Sequence, residues 1–231
     1  MSRLLAKQAA GTLGLKIGLL GLSFVTTIFL ARTLDVSEFG LYSYAISWAL
    51  LLQIPSSLGL DLILGREIAA YRLESDWASI NGVISWSNRI VLVASISLTL
   101  LAIICFWLVH DSDSQYSTNA IFIALATVPI LSLTKLRKGA MRGFDQVVKG
   151  QIPENIIQPL VFIGLLVVGL VLVDNFSASW VVVIIFASAS IAFLCGLVLL
   201  RQTVPKSIES TLSKVDSRKW ISGILHFMFI S

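Results

Sequence analysis

Apolar residues in this chain come in blocks rather than in one-sided stripes. Five runs, Leu41–Leu60, Ile90–Val109, Tyr116–Thr134, Ile156–Val173 and Ser177–Leu200, contain no Asp, Glu, Lys or Arg. A sixth, Gly11–Ala31, carries Lys16 as its one charge. A hydrocarbon core of about 30 Å takes roughly 20 residues of helix to cross, and each block is of that order. A seventh run opens at Trp220 and reaches Ser231, where the sequence stops in the middle of an element. The pattern predicts an all-α, polytopic membrane helical bundle: six transmembrane helices plus an incomplete seventh. The expected organisation is a six-helix lobe over residues 1–200, a cytoplasmic linker over 201–219 and the truncated start of a second lobe over 220–231. Arg3 and Lys7 precede the first block in the manner of a signal peptide. That block is too long for one, and Phe29-Leu30-Ala31 followed by Arg32 is not a small-x-small cleavage site, so it reads as a retained helix.

The basic residues give these spans a direction. Fourteen Lys and Arg fall before span one, between spans two and three, between four and five, and after span six, against Arg32 alone in the alternate loops. The positive-inside rule then places the N-terminus in the cytoplasm. Trp107 and Trp180 fall at the outer edge, and Trp77, Trp86 and Trp220 at the inner one. The outer connections, Arg32–Gly40, His110–Gln115 and Asp174–Phe176, are short, so the spans pair as antiparallel hairpins.

Composition narrows the function classes. Hydrophobic residues are 56% of 231, charged residues only 13%, and mean hydropathy is +0.89. Soluble domains carry about 25% charge, so a soluble enzyme and a nucleic-acid-binding module are excluded despite a net charge of +4. Cys105 and Cys195 both lie inside apolar runs, which suggests neither a disulfide framework nor a metal site. There is no HExxH, GxSxG or Walker A pattern. The histidines, His110 and His226, lie in an outer loop and in the unfinished seventh run, so neither can serve a nucleophile at depth. No cofactor is implied, and no catalytic activity. Asp61 and Glu154 stand at the inner ends of spans two and five, where helix-end anchoring among lipid headgroups is the expected role. Pro55, Pro129 and Pro159 fall inside spans, where neighbouring helices can serve the freed carbonyls.

The first span is two-faced. Gly11, Gly14, Gly18 and Gly21 share one face at 100° per residue, which would admit the close approach of another helix. Thr12, Lys16, Ser23 and Thr27 share the opposite face. Lys16 lies about 7 Å from the inner end at 1.5 Å per residue, so it can snorkel. The aligned hydroxyls point instead to a water-filled cavity that this face lines. Arg89, beside Asn88 at the start of span three, is either an inner anchor or a second cation at the mouth of that cavity. The candidate substrate-binding residues are therefore Lys16, Thr12, Ser23, Thr27 and Arg89.

Three stretches carry a family resemblance. Ala31-Arg32-Thr33-Leu34-Asp35-Val36-Ser37-Glu38-Phe39-Gly40-Leu41-Tyr42 resembles the A-R-x-L-G-x-x-E-F-G-x-Y junction of the first two helices in bacterial polysaccharide flippases, with Asp35 in place of the glycine. Leu58-Gly59-Leu60 with Gly65-Arg66-Glu67-Ile68-Ala69 resembles the stretch closing helix two. Arg142-Gly143-Phe144 with Gly150-Gln151-Ile152-Pro153-Glu154 and Pro159 resembles the elbow into helix five. The family comprises O-antigen and teichoic acid exporters of the multidrug/oligosaccharidyl-lipid/polysaccharide superfamily. The resemblance implies two similar lobes around a central cavity, of which this chain would supply the first. It implies alternating-access export of a polyprenyl-pyrophosphate-linked oligosaccharide across the bacterial inner membrane, driven by an ion gradient or by substrate flux. The implied partners are that lipid-linked oligosaccharide, membrane lipids, a second lobe, and glycan polymerase or ligase proteins. A multidrug cation exporter of the same superfamily would want an acid at depth in the first span, which instead carries Lys16. A truncated, non-transporting product or a half-transporter needing a partner lobe is the other alternative.

Overall fold

The computed structural model describes residues 2–109, 118–173 and 176–204, with the side chains of 2–12, 15, 109 and 118 left out. All regular structure among them is helical: α1 Ser2–Thr33, α2 Val36–Ser56, α3 Leu60–Leu73, α4 Trp77–Val109, α5 Thr118–Ala126, α6 Val128–Gly143, α7 Val147–Ile152, a π turn Pro153–Ile157, α8 Gln158–Leu172 and α9 Ala178–Thr203. Five stretches are long and apolar enough to span a membrane: Lys16–Thr33, Trp77–Leu108, Asn119–Gly143, Val147–Leu172 and Ala178–Thr203. A sixth is the pair α2 and α3, bent by 44°. The all-α bundle of the sequence reading is thus the observed architecture. The His110–Gln115 loop, most of the linker and the seventh run lie outside the described residues.

Helices outrun the apolar blocks because backbone hydrogen bonding continues past the point where lipid ends. α4 has 33 residues, about 50 Å at 1.5 Å per residue, against a core of about 30 Å. Its start is fixed by Asp76, whose carboxylate accepts from the Ser79 amide at 3.1 Å and the Ser79 hydroxyl at 2.7 Å. That arrangement satisfies amide groups that a first helical turn leaves free.

One span is broken, and another interrupted at a single residue, where the sequence suggested continuous helices. α2 ends with Leu58 and Gly59 in the left-handed region, at φ 48° and 66°, and α3 restarts at another angle. Asp61, expected among headgroups, is instead buried against α6, 3.9 Å from Lys135 Nζ and 3.8 Å from Arg142 Nη2. Lys135 also donates to the Ser57 hydroxyl at 3.0 Å, tying the break to α6. The interrupted span, Asn119–Gly143, loses its regular hydrogen bonding at Thr127, between α5 and α6, while Thr127 keeps helical backbone angles. Pro129 has no N–H for the Leu125 carbonyl, and the Thr99 hydroxyl of α4 supplies a donor at 3.4 Å.

Close packing is found in a different place from the one expected. A β-carbon at Gly14, Gly18 or Gly21 of α1 would meet nothing within 4 Å. Spacing shows that a face is small; it does not bring a partner to it. The glycine seam joins α3 and α6 instead. A β-carbon on Gly65 would lie 3.0 Å from the Gly139 carbonyl oxygen, and one on Gly143 would lie 2.8 Å from that of Gly65. Around this seam sit Leu64, Ile68, Ile80, Val83 and Leu136. A second core joins α2, α5 and α9 through Ala45, Ala49, Ile121, Leu125 and Val182. A third holds the end of α1 against α8 and α9 through Leu30, Leu34, Phe162, Leu166 and Val181. α1 is thereby fixed at its C-terminal end, while Leu20, Phe24 and Val25 remain exposed.

All three motif stretches are joints of this bundle. Gly65 and Ile68 of one motif meet Gly143 of another across the α3–α6 seam. Arg72 closes its end by donating to the Gly143 carbonyl at 2.8 Å and to Asp145 at 2.9 Å. Glu38, from the first motif, accepts the Ala178 amide at 2.6 Å and so caps the start of α9, 140 residues along the chain.

Candidate functional site

A cavity of about 470 Å³ opens between α1, α2, α6, the π turn, α8 and α9. That volume falls within the range of ordinary ligand pockets, roughly 300–1,000 Å³. Much of its wall is apolar, including Leu30, Ile46, Leu50, Leu131 and Phe162. All six elements contribute polar groups: Ser23 and Thr27 from α1, Gln53 from α2, Lys138 from α6, Glu154 and Asn155 from the π turn, Gln158 from α8 and Ser188 from α9. The α1 hydroxyls donate back to their own helix, Ser23 to the Leu20 carbonyl at 3.0 Å and Thr27 to that of Ser23 at 2.8 Å. Such back-bonding satisfies the hydroxyl proton and leaves the oxygen lone pairs to accept from a ligand. Gln53 spans to α6, its amide donating to the Leu131 carbonyl at 3.1 Å.

The charged element of the cavity is Lys138 with Glu154, at an Nζ–Oε2 distance of 2.5 Å. Both side chains are partly buried, at 30% and 22% exposure. Glu154 owes its position to local backbone chemistry. Pro153 and Pro159 each lack an N–H, and between them the Gln158 amide bonds to the Pro153 carbonyl, five residues back. That wider turn turns Glu154 and Asn155 out of the register of a plain helix, and such turns recur at functional sites. Next to Lys138 on α6 lies Arg137, 4% exposed, with Nε and Nη2 buried and no hydrogen-bond partner among the described residues. Its guanidinium packs against the backbone of Gly196 on α9. Glu154, bonded to the neighbouring Lys138, is the carboxylate of the cavity wall. The cluster thus holds one carboxylate and two adjacent cations of α6.

Of the residues singled out in the sequence, the structure brings Ser23 and Thr27 together on the cavity wall. Lys16 is exposed and outside the lining, seven residues before Ser23 on the same face. The side chain of Thr12 lies outside the described residues. Arg89 is exposed on α4, a helix that contributes nothing to the cavity. Sequence reasoning missed Lys138, Gln53, Asn155 and the inward role of Glu154. The available signal was the Gly150–Glu154 stretch with Pro153 and Pro159 around it, two prolines six residues apart at the start of an apolar block. The pairing of Lys138 with Glu154 across two spans left no local trace.

Chemically, the site offers a cation, hydroxyl and amide groups, and an apolar wall. Among the described residues no group of His, Cys, Asp or Glu is arranged to hold a metal ion. A family model described as "Polysaccharide biosynthesis protein" matches residues 5–231. None of the curated proteins matches the chain, and no solved structure does.

Proposed function

Since the chain belongs to the polysaccharide biosynthesis protein family, we propose that it acts as a flippase, exporting a polyprenyl-pyrophosphate-linked oligosaccharide across the bacterial plasma membrane. The observation that carries this reading is the cavity itself: ionic and hydroxyl groups gathered inside a bundle of apolar spans. A pyrophosphate cannot cross about 30 Å of hydrocarbon without compensation for its charge. Lys138 offers that compensation, and Ser23, Thr27, Gln53, Asn155 and Ser188 offer partners for sugar hydroxyls. The isoprenoid tail needs no site, because the bilayer solvates it.

Lys16 belongs to the same reading as an approach residue. It lies about 10 Å from Ser23 along the shared face of α1, toward the N-terminus, which the basic-residue asymmetry places in the cytoplasm. Arg89 takes no part. A cation exporter is the weaker reading, because the cavity's acid, Glu154, is already bonded to Lys138. A second lobe that completes the pathway, and polymerase or ligase proteins that consume the exported glycan, are the proposed partners.

Complementation of a flippase-deficient bacterial strain tests the proposal, with surface polysaccharide scored against membrane abundance of the protein. The expected result is export with the native chain, supplied alone or with a second lobe of the family, and its loss with Lys138→Met. Absence of export at normal abundance in both arrangements refutes the reading.

A further inference from the structure

The α6 cations and the π turn carry one more consequence. Arg137 and Lys138 are six and five residues from the end of their span at Gly143, so both sit roughly 8–9 Å inside it at 1.5 Å per residue. A buried guanidinium is ordinarily paired and hydrogen-bonded, because desolvating its charge is costly. Here two of its nitrogens are buried with no partner among the described residues. The nearby carboxylate, Glu154, has its Oε2 committed to Lys138. Two cations and one acid leave this cluster one negative charge short of balance, beside a cavity that Lys138 and Glu154 both line.

We propose that Glu154 competes with the anionic group of the ligand for Lys138: a phosphate-class anion takes Lys138, and the displaced Glu154 moves to Arg137. This rests on the transport reading for the identity of the ligand. The exchange balances the cluster, since two anions then face two cations. It also moves the π turn relative to α6 and α9, the elements that hold Lys138 and Gly196. Ligand arrival is in this way coupled to the packing of three spans. Arg137 is a positioning residue here, acting through Glu154 rather than on the ligand.

The test is equilibrium binding to the purified chain in lipid nanodiscs. One arm titrates inorganic pyrophosphate, and the other incorporates a long-chain isoprenyl phosphate, so that recognition of the bare anion and of a lipid-borne headgroup are told apart. Glu154→Gln is expected to tighten binding about tenfold, as when a site open about a tenth of the time becomes open throughout. Lys138→Met removes binding, and the Glu154→Gln/Lys138→Met double variant stays as weak as Lys138→Met. Arg137→Met weakens binding, Arg137→Lys restores it, and Glu154→Gln makes the identity of residue 137 immaterial. Gly196→Ala, which drives the guanidinium from its slot, should reproduce Arg137→Met if that variant does not give a monodisperse protein, and Glu154→Ala can stand in for Glu154→Gln. Unchanged or weaker binding in Glu154→Gln overturns the proposal and makes the ion pair a structural tether. Export in the complementation assay with unaltered Glu154→Gln binding rejects the competition alone. Tighter Glu154→Gln binding without export rejects the transport reading alone.

Discussion

Gly139→Ala is the sharpest test of how the bundle is held together. At Gly139 an added β-carbon would overlap the Asp61 carbonyl oxygen and lie 2.8 Å from both the carbonyl carbon and the Cα of Asp61. These are backbone atoms at the α2–α3 break, so nothing can swing aside. Ordinary contact begins at about 3.4 Å, and α3 and α6 would have to part by about 1 Å. Overpacking a tight core by one methyl costs about 1–3 kcal/mol, and rigid neighbours place this case at the upper end. The same change relieves the conformational disadvantage of glycine within a helix, about 1 kcal/mol. The net expectation is a loss of about 2 kcal/mol. Gly18→Ala is the matched control, because its β-carbon meets nothing within 4 Å; it should be neutral or stabilising by up to about 1 kcal/mol. Reversible unfolding in mixed detergent micelles, monitored by circular dichroism, measures both. Equal stabilities for the two variants would refute the glycine seam.

Glu38→Ala should destabilise the chain by about 1–2 kcal/mol, because the Ala178 amide at the start of α9 loses a charged acceptor, and Glu38→Gln should retain part of that; the same unfolding assay checks it. Gly59→Ala has room but must hold φ 66°, so a loss of about 1–2 kcal/mol comes from backbone strain alone, and Gly59→Asn should cost less. Lys16→Ala should lower export at normal membrane abundance while Lys16→Arg preserves part of it, as read by surface polysaccharide; full export by Lys16→Ala would remove Lys16 from the pathway. For orientation, cysteines placed at Ser112 and Ser207 in a background lacking Cys105 and Cys195 should show the former reached by impermeant reagent in intact cells and the latter protected.

The spans, their order and the helical class were legible in the sequence, and the reason is local. Lipid presents the same solvent to every stretch of chain, so twenty apolar residues mean the same thing wherever they occur. The polar face of α1 was legible for the same reason, since a helix sets its own periodicity, and Ser23 and Thr27 share that face from sequence alone. What meets a face is decided elsewhere. Gly14, Gly18 and Gly21 of α1 have the spacing of a packing surface and meet nothing within 4 Å, whereas Gly139, unremarkable in its own stretch, is pressed against the backbone of Asp61. Asp61 reads as a headgroup anchor until the break at Leu58 and Gly59 swings it toward Lys135 and Arg142. Lys138 and Glu154 are sixteen residues apart and on different spans. Only the π turn, the two prolines around it and the packing of α7 and α9 against α6 bring them into one cavity. Apolar blocks record an interaction with a uniform solvent, and one chain segment carries that record alone. A cavity records the meeting of several segments, and no single one of them holds it.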